Sequence, residues 1–222
     1  MSRLSFIIFP EFKDQISAEK VKNSLDLVES IIAYSKGNRL NSDEINRICK
    51  KLGSRITGSR LYSGGSSVLF GWSFQLGKVG SIIIKPYYNR QLTQLILHYL
   101  TAEDCIQNLD KLKFEYNKKH YQIQIPRVIG LAKIVSISRI FPTLLAEEVV
   151  GESIQGQALL IKKISFLVRD LALQGFICDP YASNWKTSMI KNQKIIHYID
   201  LLSSNRIPNA KKRIADLLQN FE

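Results

Sequence analysis

The chain has 222 residues, of which 45% are hydrophobic and 23% charged, a balance that suits a folded protein with a substantial core. Its 31 Lys and Arg against 19 Asp and Glu leave a formal net charge of +12, which attracts polyanions such as nucleic acid, anionic lipid or nucleotide phosphates. Apolar runs all fall short of the ~20 residues of a membrane span, and Leu4 to Phe9 is too short, and too soon broken by Pro10, for a signal peptide. Cys49, Cys105 and Cys178 are odd in number and scattered, so reduced thiols in a cytoplasmic protein are expected rather than disulfides or a metal site.

Along the chain, Val21, Leu25, Val28, Ile31 and Ile32 recur at helical spacing and predict a helix from Ser17 to Lys36. A second helix is predicted over Ser42 to Leu52, with Ser42, Asp43 and Glu44 suiting its start and Gly53 its end. Leu61-Tyr62, the turn Ser63 to Ser67 and Val68 to Phe74 predict strand, tight loop, strand. Gly77 to Gly80 reads as a hairpin turn before a third strand, Ser81 to Lys85. A long helix follows over Gln91 to Leu109. The runs Tyr121 to Ile125, Arg127 to Gly130, Lys133 to Ile137 and Thr143 to Val150 predict strands, the last two parted by a turn containing Pro142. Gln157 to Gln174 predicts a helix stopped by Gly175. Trp185 to Met189 and Lys194 to Ile199 predict a β-hairpin around Lys191-Asn192-Gln193, and Asn209 to Leu218 a final helix.

Asp179 and Asn184 stand five residues apart just after the helix stop, and Asp200 closes the apolar run Ile195 to Ile199. A carboxylate that accepts a proton, with an amide and a second carboxylate that share a metal, forms the set that phosphoryl transfer from ATP requires. The spacing alone is common by chance, and Asp179 and Asn184 also suit a plain turn around Pro180. Upstream, Gly64-Gly65-Ser66-Ser67 forms a turn whose backbone N–H groups could approach an anion closely. Lys85 ends the strand Ile82-Ile83-Ile84, and Glu103 lies eighteen residues on, in the following helix, with Asp104 beside it.

Taken in order, these parts make the chain resemble the protein-kinase-like superfamily, especially its small members, the RIO-type kinases and aminoglycoside phosphotransferases. The resemblance covers about Leu61 to Leu202. It implies an α+β, two-lobed protein-kinase-like fold that binds ATP and Mg²⁺. Gly64, Gly65, Ser66 and Ser67 would then lie over the phosphates, and Lys85, paired with Glu103, would contact them. Ala146 to Glu152, with Glu148 at its centre, looks like the hinge that reads the adenine edge through its backbone. Asp179 matches the catalytic-loop base, and Asn184 and Asp200 match the Mg²⁺ ligands. The implied divisions are a helical extension over 1–55, an N-lobe with a five-stranded antiparallel sheet over 56–150, and a C-lobe over 151–222. Only 22 residues follow Asp200, so that C-lobe is expected to be truncated and without a peptide-docking platform.

The resemblance also has departures. Ile177-Cys178-Asp179 replaces H-R-D, Tyr181 stands where the family has lysine or histidine, and Asp200-Leu201-Leu202 lacks the D-F-G glycine. Asp179-Pro180 is similar to the pairing in UbiB-type atypical kinases. The expected activity is transfer of the ATP γ-phosphoryl group to a hydroxyl of a protein or small-molecule acceptor. A pseudokinase scaffold and a basic nucleic-acid-associated protein remain the alternatives.

Overall fold

The computed structural model describes residues 4–53, 59–63, 67–75, 80–107, 112–154, 156–173, 184–190, 193–199 and 207–221. Its elements in chain order are β1 (Leu4–Ile8), a 3-10 turn (Pro10–Phe12), α1 (Ala18–Tyr34), α2 (Ser42–Leu52), β2 (Arg60–Ser63), β3 (Phe70–Gln75), β4 (Ser81–Pro86) and α3 (Leu92–Gln107). Then follow β5 (Lys113–Tyr116), β6 (Lys119–Gln124), β7 (Val128–Ser136), β8 (Arg139–Glu147), β9 (Glu152–Ser153), α4 (Ala158–Leu173), β10 (Trp185–Ile190), β11 (Gln193–Tyr198), α5 (Ala210–Leu218) and a second 3-10 turn (Gln219–Phe221). The fold is α+β with two sheets. Contacts divide it into a first unit of Met1–Ile96, Val128–Glu148 and Ala215–Glu222, and a second of Leu97–Arg127 and Val149–Ile214.

In the first unit, α1 starts where Ser17 Oγ accepts the Lys20 N–H at 3.3 Å. It buries Val21, Leu25, Val28, Ile31 and Ile32 on one stripe and packs against β1 and β7. The cap of α2 is Asn41, one residue before the expected start: its side chain takes the Asp43 and Glu44 N–H groups while Glu44 returns to the Asn41 N–H. The sheet runs β1-β7-β8-β4-β3-β2, with every neighbouring pair antiparallel. Five of its strands lie within residues 56–150, and the sixth is Leu4–Ile8, short and mostly apolar in sequence, which adds to the edge of β7.

Two expectations fail here for the same reason. Arg127 to Gly130 and Lys133 to Ile137 are one strand, β7, and Pro142 lies inside β8 opposite Lys133 instead of in a turn. The turn falls at Ile137 and Ser138, both with positive φ. Pro142 is tolerated because a residue's N–H and C=O point to the same side of a strand. Its carbonyl accepts the Tyr87 N–H at 2.9 Å, so the missing N–H faces the end of β4 and leaves the β7–β8 ladder intact.

In the second unit, the sheet order is β5-β6-β11-β10-β9. The pair β6–β11 is parallel and the others are antiparallel. The predicted strand at Tyr121 to Ile125 therefore joins this sheet as β6, and β5, unread in the sequence, pairs with it through a turn at Asn117 and Lys118. Tyr121, Ile123, Trp185, Ile196 and Tyr198 are all buried. Along β6, Tyr121 and Ile123 alternate with the half-buried Gln122 and Gln124, as one covered face requires, whereas β11 is buried on both faces from Ile195 to Tyr198. Trp185 and Tyr198 meet with ring centroids 4.5 Å apart, and Phe114 stacks on Tyr121 at 5.2 Å. Helix α4 buries Leu160, Ile164 and Val168.

The docking of β1 depends on a missing side chain. A Cβ on Gly130 would sit 2.3 Å from the Ile7 carbonyl oxygen, which is strand backbone and cannot move aside without breaking the ladder. Gly130→Ala is therefore expected to cost about 1–3 kcal/mol, as overpacking does. Denaturant unfolding should show that loss, and hydrogen exchange should show it concentrated at Leu4–Ile8.

Candidate functional site

Strand β4 lies between β3 and β8, and its residues alternate between buried and half-buried from Ser81 to Pro86. The period of two sends Ile82 and Ile84 to the core, with Ile83 and Lys85 on the other face. Of the three isoleucines, two are core residues and Ile83 shares the face of the lysine. Directly after Lys85, Pro86 accepts the Leu69 N–H at 2.9 Å, and the Tyr88 N–H donates to the Ser67 carbonyl at 3.2 Å. Ser67, the last residue of the glycine-rich turn, is thereby anchored beside the end of the lysine strand. Gly64, Gly65 and Ser66 lie outside the described residues.

At the other end of this face is a polar cluster that the sequence did not reveal. Tyr62 Oη donates to Glu148 Oε1, and Ser73 Oγ donates to Oε2 at 2.5 Å. The backbone N–H of Glu148 is committed to the Ser81 carbonyl at 2.9 Å. Burial opposes ionisation of Glu148, but hydrogen bonds from Ser73, Tyr62 and Ser81 and the charge of Arg60 outweigh it and hold the carboxyl below the usual glutamate range. Tyr62 is pushed above the usual tyrosine range by burial, then by its bond to Glu148, with Arg60 opposing. Strand register is the signal that could have found the cluster: Arg60 pairs with Ser73, and Gln75 with Ser81, on a strand set otherwise rich in apolar residues.

In the second unit, the hairpin β10–β11 forms as expected, with Trp185 opposite Tyr198. The Ile199 N–H donates to the Asn184 carbonyl at 2.9 Å, which extends the ladder by one pair. Asn184 is half-buried and locked to the residue that precedes Asp200 in the chain. Asp179 and Asp200 themselves lie outside the described residues, as do Ile177, Cys178 and Tyr181.

The segment after Glu148 is also held to this hairpin. Lys186 Nζ donates to the Val149 carbonyl at 3.1 Å. A side chain on Gly151 would meet the Thr187 carbonyl oxygen at 2.6 Å, so its role is close approach to β10 rather than a simple turn. Glu103, on α3, accepts from Tyr99 Oη at 2.5 Å and from Arg213 Nη2 at 3.1 Å. Arg213 directly follows Lys211 and Lys212 in the chain.

No protein-family model matches the chain, and no curated protein matches it in sequence. Among solved structures it is similar to the crystal structure of the Rio2 kinase from Chaetomium thermophilum, with a TM-score of 0.41 and 13% identity over 95% of this chain and 74% of that one. A likeness at that level carries nothing about activity, so the functional reading rests on the chain's own residues.

The Glu148 cluster has a pH signature. A carboxyl with a lowered folded-state pKa contributes stability that is fully present above its ordinary value of 4.5 and lost as pH falls through the lowered value. Glu148→Gln is expected to cost about 1 kcal/mol at neutral pH, the worth of a hydrogen bond to a half-exposed group. The gap between variant and wild type should close on acidification below about pH 4. Urea denaturation of both proteins across that range measures it.

Proposed function

We propose that the chain is a kinase-like phosphotransferase that moves the γ-phosphoryl group of ATP to a hydroxyl of a protein or small-molecule acceptor. The observation that carries this reading is the hairpin closure at Asn184 and Ile199. Two residue types suited to a shared hard cation, Asn184 and Asp200, flank a hairpin whose ends are hydrogen-bonded together. The arrangement in the first unit supports it: Lys85 leaves the core face of β4, and Ser67 is anchored beside the same strand end.

In this reading Asn184 and Asp200 hold Mg²⁺ through oxygen donors, which is the ligand type that cation prefers. When bound, the ion neutralises charge on the β- and γ-phosphates. Lys85 contacts the phosphates as a cation, and Gly64, Gly65, Ser66 and Ser67 offer backbone N–H and hydroxyl donors to them. Asp179 orients the acceptor hydroxyl and takes its proton. With the Glu148 N–H already bonded to Ser81, reading of the adenine edge falls to the residues just after it.

A second reading is favoured by the departures at Ile177, Tyr181 and Leu202. A nucleotide-binding scaffold without turnover accounts for them.

Thermal shift with Mg-ATP and release of γ-phosphate, measured on wild type, Asp179→Asn and Lys85→Met, separate the readings. The phosphotransferase reading expects wild-type turnover that falls about 10²–10³-fold in Asp179→Asn, the scale of losing one transition-state contact, with weaker nucleotide binding in Lys85→Met. Binding without turnover selects the scaffold, and equal turnover in Asp179→Asn overturns its assignment as base.

A further inference from the structure

Helix α4 has an apolar face in the core and an opposite, cationic face on which two large apolar side chains are exposed. Leu160, Ile164 and Val168 are buried. At 3.6 residues per turn, Leu159, Lys162, Lys163, Phe166, Arg169 and Asp170 share the opposite side, and all six are exposed. Leu159 is 69% and Phe166 47% exposed. They stand seven residues apart, about 10 Å along the axis, in the middle of that face. Lys162 and Arg169 flank them on one side and Lys163 on the other. The Arg169 guanidinium lies over the Phe166 ring at 5.4 Å, and the one acid, Asp170, sits 3.7 Å from Arg169.

We propose that this face of α4 is a docking surface for an anionic lipid bilayer. Leu159 and Phe166 enter the boundary between headgroups and acyl chains, while the long stems of Lys162, Lys163 and Arg169 carry their charges back to the headgroups. Charge complementarity selects the occupant. An acidic helix of a partner protein would meet only these three cations, whereas an extended anionic plane is attracted by the chain's whole net charge of +12 as well. With two inserting side chains, the association is reversible and weakens with salt. It is independent of the phosphotransferase reading.

The test is flotation of the full chain with vesicles of phosphatidylcholine, alone or mixed with phosphatidylglycerol. Binding is expected only to the mixed vesicles, and to fall as salt rises. Leu159→Ser with Phe166→Ser should lower the partition coefficient about tenfold, and Lys162→Glu with Lys163→Glu at least tenfold. Lys13→Glu with Lys20→Glu, which changes the net charge equally from the first unit, should have a smaller effect. Because all these positions are exposed, melting temperatures should stay near wild type. Phe166→Trp supplies a readout of insertion, its emission shifting to the blue on mixed vesicles. The proposal is overturned if the wild type does not float with mixed vesicles at low salt, including if it binds acidic peptides instead. It is likewise overturned if the serine variant floats like wild type, or if the Lys13/Lys20 variant loses as much binding as the Lys162/Lys163 variant.

Discussion

Strand β4 is pinned on both sides, by β3 and by β8, and its register with each is continuous from residue to residue. A slip of one residue in either ladder would carry Ile82 and Ile84 out of the core and put Lys85 into it. An unpaired ammonium in an apolar interior costs far more than a hydrophobic contact returns. This alternation therefore determines which face of the first unit is core and which carries charge. The Glu148 cluster depends on it as well. Ser73 and Ser81 reach the carboxylate only because the same period of two puts them on the face of Lys85.

The second unit rests on a comparable constraint at β10–β11. Trp185 and Tyr198 close the hairpin on its buried face, and the next pair, Asn184 and Ile199, is joined through backbone. Backbone pairing holds position more tightly than a side-chain contact would, because it needs no particular rotamer. The segment after Glu148 is fastened to the same hairpin by Lys186 and by the close approach at Gly151. Among the described residues, Lys85 and Asn184 thus sit on a strand or directly at its end, where register fixes them.

Legibility followed the range of the interactions. Helices α1, α2 and α4 were readable because their apolar stripes and caps are local, and the β10–β11 hairpin because its turn and flanking runs are contiguous. The edge strand β1 was not legible because a short, mostly apolar run before a proline carries no sign of where its partner is; β7 lies far along the chain. Pro142 was misplaced in a turn because its tolerance depends on β4 ending beside it. The candidate site was legible as an order of residue types around Lys85, Asn184 and Asp200. The partners of Glu148 and Glu103 were not, since Tyr62 and Arg213 are 86 and 110 residues away from them.

Composition, periodicity and motif order by themselves determined that this is a mixed α+β chain, basic overall, with its helices and its last hairpin at the expected places. They also determined the residue types available for chemistry, since those are properties of single positions and short spacings. Tertiary structure alone decided how the strands divide between two sheets, that Lys85 leaves the core while its isoleucine neighbours enter it, and that Glu103 meets Arg213. It also decided that Leu159 and Phe166 stay exposed on α4. The reason is physical: strand pairing and burial are set by contacts between distant segments, and a sequence pattern states which face a residue shares without stating what will cover it.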